Sequence, residues 1–134
     1  MNLQQKRRSA QPIHVDQNGT PEDEFEKYPT AIITTSGRVF YCSNDLIHLL
    51  GYRTSNEVEN LHFFDLISND DIQHAVDAML RILRPNGISE LSVTLHLERR
   101  DGVLLTSRAR IRRIVGTGGM TGVQLTFQMS NFDR

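Results

Sequence analysis

The sequence predicts an α+β fold: a five-stranded antiparallel sheet with short helices and one longer helix on one face. Three observations predict it. Two short β-branched and aromatic runs, in "AIITTSGRVFYC", precede a block of helix-start signals. One later segment repeats apolar residues at helical spacing. The last third of the chain alternates apolar and polar residues in three runs separated by glycine-bearing turns.

Residues 1–19 are polar and aperiodic, and are expected to form a flexible tail. Residues 20–131 are expected to make one domain, and 132–134 the start of a linker to an output domain outside this chain. At "TPEDEFEKYP", Thr20 suits a cap and Pro21 the first helical position. Glu22, Asp23 and Glu24 favour the positive end of the helix dipole. Pro29 limits this helix to about two turns, with Phe25 and Tyr28 seating it.

Ser36 and Gly37 mark a tight hairpin between the first two strands. Ser43 caps the next helix, with Asp45 in its first turn. "TSNE", Thr54 to Glu57, is a capping-box pattern before another short helix, and "LHFFDLIS" adds a buried turn or two. Ser68 with Asp71 repeats the capping pattern ahead of the longest helix, about Asp70 to Leu83. Its expected core face is Ile72, Ala75, Val76, Met79, Leu80 and Leu83, and "RPNG" ends it.

In the last third, Leu91, Val93, Leu95 and Leu97 share one strand face. Leu105, Ser107, Ala109 and Ile111 share one face of the next strand, and Arg108, Arg110 and Arg112 the other. A two-residue turn at Asp101 and Gly102 would set Leu95 against Arg108. A three-residue loop, Arg100 to Gly102, sets Leu97 against Leu105, Leu95 against Ser107 and Val93 against Ala109. Only the second keeps one face apolar, and it gives Gly102 the left-handed position. It also sets Thr94, Ser92 and Glu90 opposite the three arginines. "GTGGMTG" makes the next turn. The final strand, "VQLTFQM", alternates Val123, Leu125, Phe127 and Met129.

Composition narrows the function. A chain of 134 residues, 23% charged and 38% hydrophobic, suits one globular domain. Its net charge of -1 gives no global field toward nucleic acid or membrane surfaces. No apolar run approaches the roughly 20 residues of a membrane span, and "MNLQQKRRSA" lacks the apolar core of a secretory signal. The lone cysteine, Cys42, fits a cytoplasmic location.

No residue constellation points to catalysis or metal. Cys42 and His48 are six apart, but His48 falls opposite the core face set by Leu46, Leu49 and Leu50, and Cys42 precedes the helix. His74 likewise points away from the core, His96 lies on the outward strand face, and His62 is the only histidine expected to be buried, as a structural group. The glycines of "GTGGMTG" open no helix and so cradle no phosphate. The arginine row reads either as a solvated face with one or two cross-strand pairs or as a docking surface.

From about Phe25 to Asn131 the pattern resembles a PAS domain. "KYPTAIITTSGRVFYCSNDLIHLLGY" is similar to the family's opening, closed by Gly51 and Tyr52. "FFDLISNDDIQHAVDAMLRIL" is similar to its D-L-I-H-P-E-D segment and long helix, and "LHLERRDGVLLTSRARI" to its R-R-K-D-G hairpin. The resemblance implies a cytoplasmic sensory and dimerisation module of a larger signalling protein, not an enzyme by itself. It implies a small cavity between sheet and helices, walled by Leu46, Leu50, Phe64, Val76, Met79, Leu83, Val93, Leu95, Ser107, Ala109, Leu125 and Phe127. Ser107 is the one polar group expected to point inward, and needs a partner there. The resemblance further implies a homodimer through the sheet face and N-terminal helix, with Phe25, Tyr28, Arg108, Arg110 and Arg112 as interface residues.

Four departures shape the expectation. Ser43 stands where the family usually has asparagine. Val76 occupies the position of the haem-ligating histidine, and Cys42 is on the wrong element for photoactive flavin chemistry, so both cofactors are disfavoured. "MSN" replaces the closing D-I-T. The alternatives are a ligand-free interaction module and a small pocket enzyme. The enzyme would require an inward carboxylate, for which Asp65 is the one ambiguous candidate.

Overall fold

Residues 28–59 and 61–129 are described by the computed structural model. The expected helix around Phe25, the tail 1–19 and the linker start 132–134 lie outside them. Strands β1 (Thr30–Thr34) and β2 (Val39–Cys42) form the first hairpin. Gly37 turns it with φ +92°, in the left-handed region that glycine enters without a steric penalty. Helices α1 (Asn44–Leu49) and α2 (Ser55–Glu59) follow, then 3-10 turns at Phe63–Leu66 and Asn69–Asp71, and helix α3 (Ile72–Leu83). Strands β3 (Glu90–Glu98), β4 (Leu104–Val115) and β5 (Thr121–Met129) complete the described elements. The five strands form one antiparallel sheet in the order β2-β1-β5-β4-β3.

The register expected for β3 and β4 is the one observed. Leu97 pairs with Leu105, Leu95 with Ser107 and Val93 with Ala109, while Thr94, Ser92 and Glu90 stand opposite Arg108, Arg110 and Arg112. Gly102 has φ +92°, and the Arg99 N–H donates to the Val103 carbonyl at 2.8 Å, closing the three-residue loop. Strand β5 starts two residues earlier than its apolar alternation, because Gly122 and Thr121 still pair with Ile114 and Val115.

One sheet face carries the core. Ala31, Ile33, Val39, Leu95, Leu97, Ala109, Ile111, Val123, Leu125 and Phe127 are all buried there. Leu46, Ile47, Leu50, Phe63, Leu66, Ala75, Ala78 and Ile82 close over them from the helical side. Each fully buried Leu or Phe contributes about 1.5–3 kcal/mol relative to exposure.

Helix α3 differs from its sequence reading. Leu80, expected in the core, is 58% exposed, whereas Ala78 and Ile82 are buried. The helix is rotated so that Ala75, Ala78, Met79 and Ile82, at helical spacing, meet the sheet. The two alanines permit a close approach that the bulkier stripe would block. The helix ends at Arg84, which is extended ahead of Pro85. Arg113 of β4 donates to the Ile82 carbonyl at 3.1 Å, setting a cation on the negative helix end.

Candidate functional site

Capping chemistry positions the helical layer. The Ser43 Oγ accepts from Leu46 N at 3.3 Å and from Thr30 N at 3.0 Å, so one hydroxyl starts α1 and ties it to β1. The Glu57 carboxylate accepts from the N–H groups of Arg53 at 2.7 Å and Thr54 at 3.2 Å. Those two bonds hold it below the ordinary glutamate range. Asp65 is exposed and accepts from His62 N at 3.0 Å, as a cap of the Phe63–Leu66 turn. His62 is half-buried. Its Nδ1 accepts from Phe64 N at 3.1 Å, and its Nε2 lies 3.0 Å from the Ser36 carbonyl. Asp71 departs from the capping role expected of it. Its buried carboxylate turns to β3 and engages His96, while Ser68 alone accepts from Asp70 N.

The twelve residues expected to wall an interior cavity separate into two groups. Leu46, Leu50, Leu95, Ala109, Leu125 and Phe127 are fully buried and pack into one core, with Val93 at its margin. Ser107 is buried beside them and donates to the Gln128 carbonyl at 3.4 Å, long for an O–H···O bond. Phe64, Val76, Met79 and Leu83 line an apolar groove of about 190 Å³ that opens outward beside Gly37 and His62, with Met79 also packed into the core. Leu80, absent from the sequence expectation for a site, lines that groove too. The rotation of α3 places it there, which apolar periodicity alone does not resolve.

Cys42 and His48 do not meet as a site. Cys42 is buried at the end of β2, and His48 is exposed on α1. Burial pushes the Cys42 thiol up to about 12, helped by the nearby Glu59 charge. Glu59 is itself raised by burial, against a hydrogen bond from the Cys42 backbone N–H. Among the described residues no three histidine, cysteine or acidic side chains gather as a metal cluster.

The outer sheet face holds the second candidate surface. Arg108, Arg110 and Arg112 stand on it in a row, beside Gln124, Thr126 and Gln128 of β5. Arg110 Nε donates to Glu90 Oε2 at 2.7 Å, diagonally across the strand pair. Tyr28, Glu90, Ser92, Arg108, Arg110, Thr126 and Gln128 line a concavity of about 300 Å³ on this face. Gln124 and Thr126 are buried, at 0% and 4% exposure. Neither the Gln124 amide group nor the Thr126 hydroxyl has a hydrogen-bond partner among the described residues. Sequence alternation marks both as outward-facing but gives no sign that they are buried.

This architecture has a family. Residues 28–128 match the family model for the PAS domain. The chain belongs to the PAS domain family. No curated protein matches the chain by sequence. Among solved structures, it is similar to a PAS domain from Desulfitobacterium hafniense, with 19% identity, 83% of this chain and 100% of that one covered, and a TM-score of 0.64. It is similar to one from Colwellia psychrerythraea, with 12% identity, 87% and 99% covered, and a TM-score of 0.70. A PAS domain from a two-component sensor histidine kinase superposes with 6% identity, 77% and 85% covered, and a TM-score of 0.63. PAS domains are typically sensory modules of signalling proteins. Within this PAS domain, no helix of the described residues is long and apolar enough to cross a membrane.

Proposed function

We propose that this chain is the sensory and dimerisation module of a larger cytoplasmic signalling protein, docking through its outer sheet face. The observation that supports the reading is the state of that face. Gln124 and Thr126 bury polar atoms there with no hydrogen-bond partner among the described residues, a condition that costs about 1–3 kcal/mol per group. A docked group entering the concavity that Thr126 lines would relieve that cost for its hydroxyl. Arg108, Arg110 and Arg112 border the same patch, and Tyr28 lies at its edge. Phe25, outside the described residues, belongs to the same proposed interface.

In this reading, signalling is a shift between two packings of the sheet face, biased by whatever binds one of them better. The interior between sheet and helices, from Leu46 and Leu50 to Leu125 and Phe127, is the proposed seat of a small apolar ligand. Close packing of those side chains favours a second reading, an interaction module that works without a ligand. Mass spectrometry of protein purified from its native host separates the two, since only the sensor carries a co-purifying small molecule.

Sedimentation tests the docking surface. Arg110→Glu replaces the pair with Glu90 by two like charges on the face. The full chain is expected to shift from dimer toward monomer at matched concentration. A wild type that dimerises and a variant that dimerises equally well would place the interface elsewhere.

A further inference from the structure

We propose that the outer-face concavity is a carboxylate-binding site centred on Arg108. The pocket is chemically lopsided. Its lining carries two guanidinium groups, Arg108 and Arg110, and one carboxylate, Glu90. Glu90 is committed to Arg110 at 2.7 Å. Among the described residues nothing hydrogen-bonds or pairs with the Arg108 guanidinium. Arg108 therefore presents a planar fork of donors, the geometry that takes a carboxylate with two parallel bonds.

Thr126 supplies the second observation. It lines the pocket, is 4% exposed, and its Oγ1 has no partner among the described residues. A hydroxyl so placed is a donor awaiting an acceptor. Tyr28 and Ser92 add two more hydroxyls to the wall, and Gln128 an amide. A cation would meet two guanidinium groups, and an apolar guest would leave the Thr126 hydroxyl unpaired. A carboxylate satisfies both the charge and the donor. The pocket's size, about 300 Å³, is at the small end of ligand sites and fits a short organic acid. The same chemistry is present in the chain's own acidic run, Glu22, Asp23, Glu24 and Glu26, which leads toward Tyr28.

The test is a titration of the isotope-labelled full chain, read by NMR at the Arg108 Nε and Gln128 side-chain amide signals. Sodium succinate and sodium acetate are the probes, against sodium chloride at matched ionic strength. A free acid as occupant gives saturable shifts in the wild type, weakened about tenfold or more by Arg108→Gln. Thr126→Val weakens them in the same direction, and deletes a hydroxyl that has no hydrogen-bond partner among the described residues. A second full-length protein carries Glu22→Gln, Asp23→Asn, Glu24→Gln and Glu26→Gln together. If the chain's own carboxylates fill the site, the wild type ignores succinate, while this variant moves the Arg108 signal and gains the response. The proposal is overturned if neither protein responds, if chloride produces the same shifts, or if Arg108→Gln leaves the response unchanged. Dimerisation is read separately by sedimentation, so failure of the docking surface and failure of this site are distinguishable.

Discussion

The Asp71 carboxylate, buried at the start of α3, accepts the backbone N–H of His96 at 2.6 Å and lies 3.0 Å from its Nδ1. The bond ties the helical layer to β3. The Ser68 N–H, three residues earlier, donates to the His96 carbonyl at 2.8 Å. Asp71→Ala removes the one acceptor that the His96 N–H has among the described residues, and hydrogen bonds to a charged group are worth about 1.5–3 kcal/mol. The variant should lose stability in that range by chemical denaturation. Asp71→Asn retains one acceptor oxygen and should lose less. Equal stability of Asp71→Ala and wild type would mean that the two layers do not depend on this clamp.

The Gly37 turn is held against His62, and this gives a second prediction. Phe63 N donates to the Gly37 carbonyl at 2.7 Å, and a Cβ on Gly37 would run into the His62 ring. Gly37 has φ +92°, where an L side chain costs about 1–2 kcal/mol before any clash. Gly37→Ala should therefore lower the melting temperature more than Gly102→Ala. Gly102 has the same φ, but open space where its Cβ would stand. A ranking in the opposite order would show that the His62 contact yields easily.

Why the hairpin register is legible in the sequence while the outer-face pocket is not follows from what each depends on. The β3–β4 pairing follows from period-two alternation, because one wrong step sets Leu95 against Arg108 and mixes the faces. Cap residues such as Ser43 and Glu57 act within four positions of their partners, so local spacing reveals them. The Asp71–His96 bond joins residues 25 apart and depends on how α3 meets the sheet. The rotation of α3 has the same origin. Leu80 is as apolar as Ile82, and only the close approach through Ala75 and Ala78 decides which one the sheet covers. The outward direction of Thr126 and Gln124 is legible from alternation; their burial is not.

Cys42 is expected to be inert in the folded protein. Its thiol, ordinarily near 9.0, is pushed up to about 12 by burial and the Glu59 charge. That lowers the thiolate fraction near neutral pH by about a thousandfold relative to an ordinary cysteine. Labelling by a thiol reagent at pH 8 should be slow in native buffer and accelerate sharply once denaturant unfolds the chain. Native labelling as fast as that of a free thiol would contradict the buried placement at the end of β2.

Glu59 gives the pH prediction. Burial raises its folded-state pKa above the ordinary 4.5, only partly opposed by the Cys42 N–H. Well below the ordinary value, both folded and unfolded chains carry the proton, and Glu59 adds no pH-dependent term. As pH rises through that value the unfolded chain releases its proton first, so the folded state is progressively disfavoured. The loss is complete once pH exceeds the raised folded-state pKa. Glu59→Gln removes the charge and keeps an oxygen that can accept from the Cys42 N–H. The variant should thus be more stable than wild type near neutral pH, with the gain shrinking to nothing as pH falls below the ordinary glutamate value. Urea unfolding of both proteins across this interval measures it. A difference between them that stays constant with pH would show that Glu59 is as well solvated in the folded domain as in the unfolded chain.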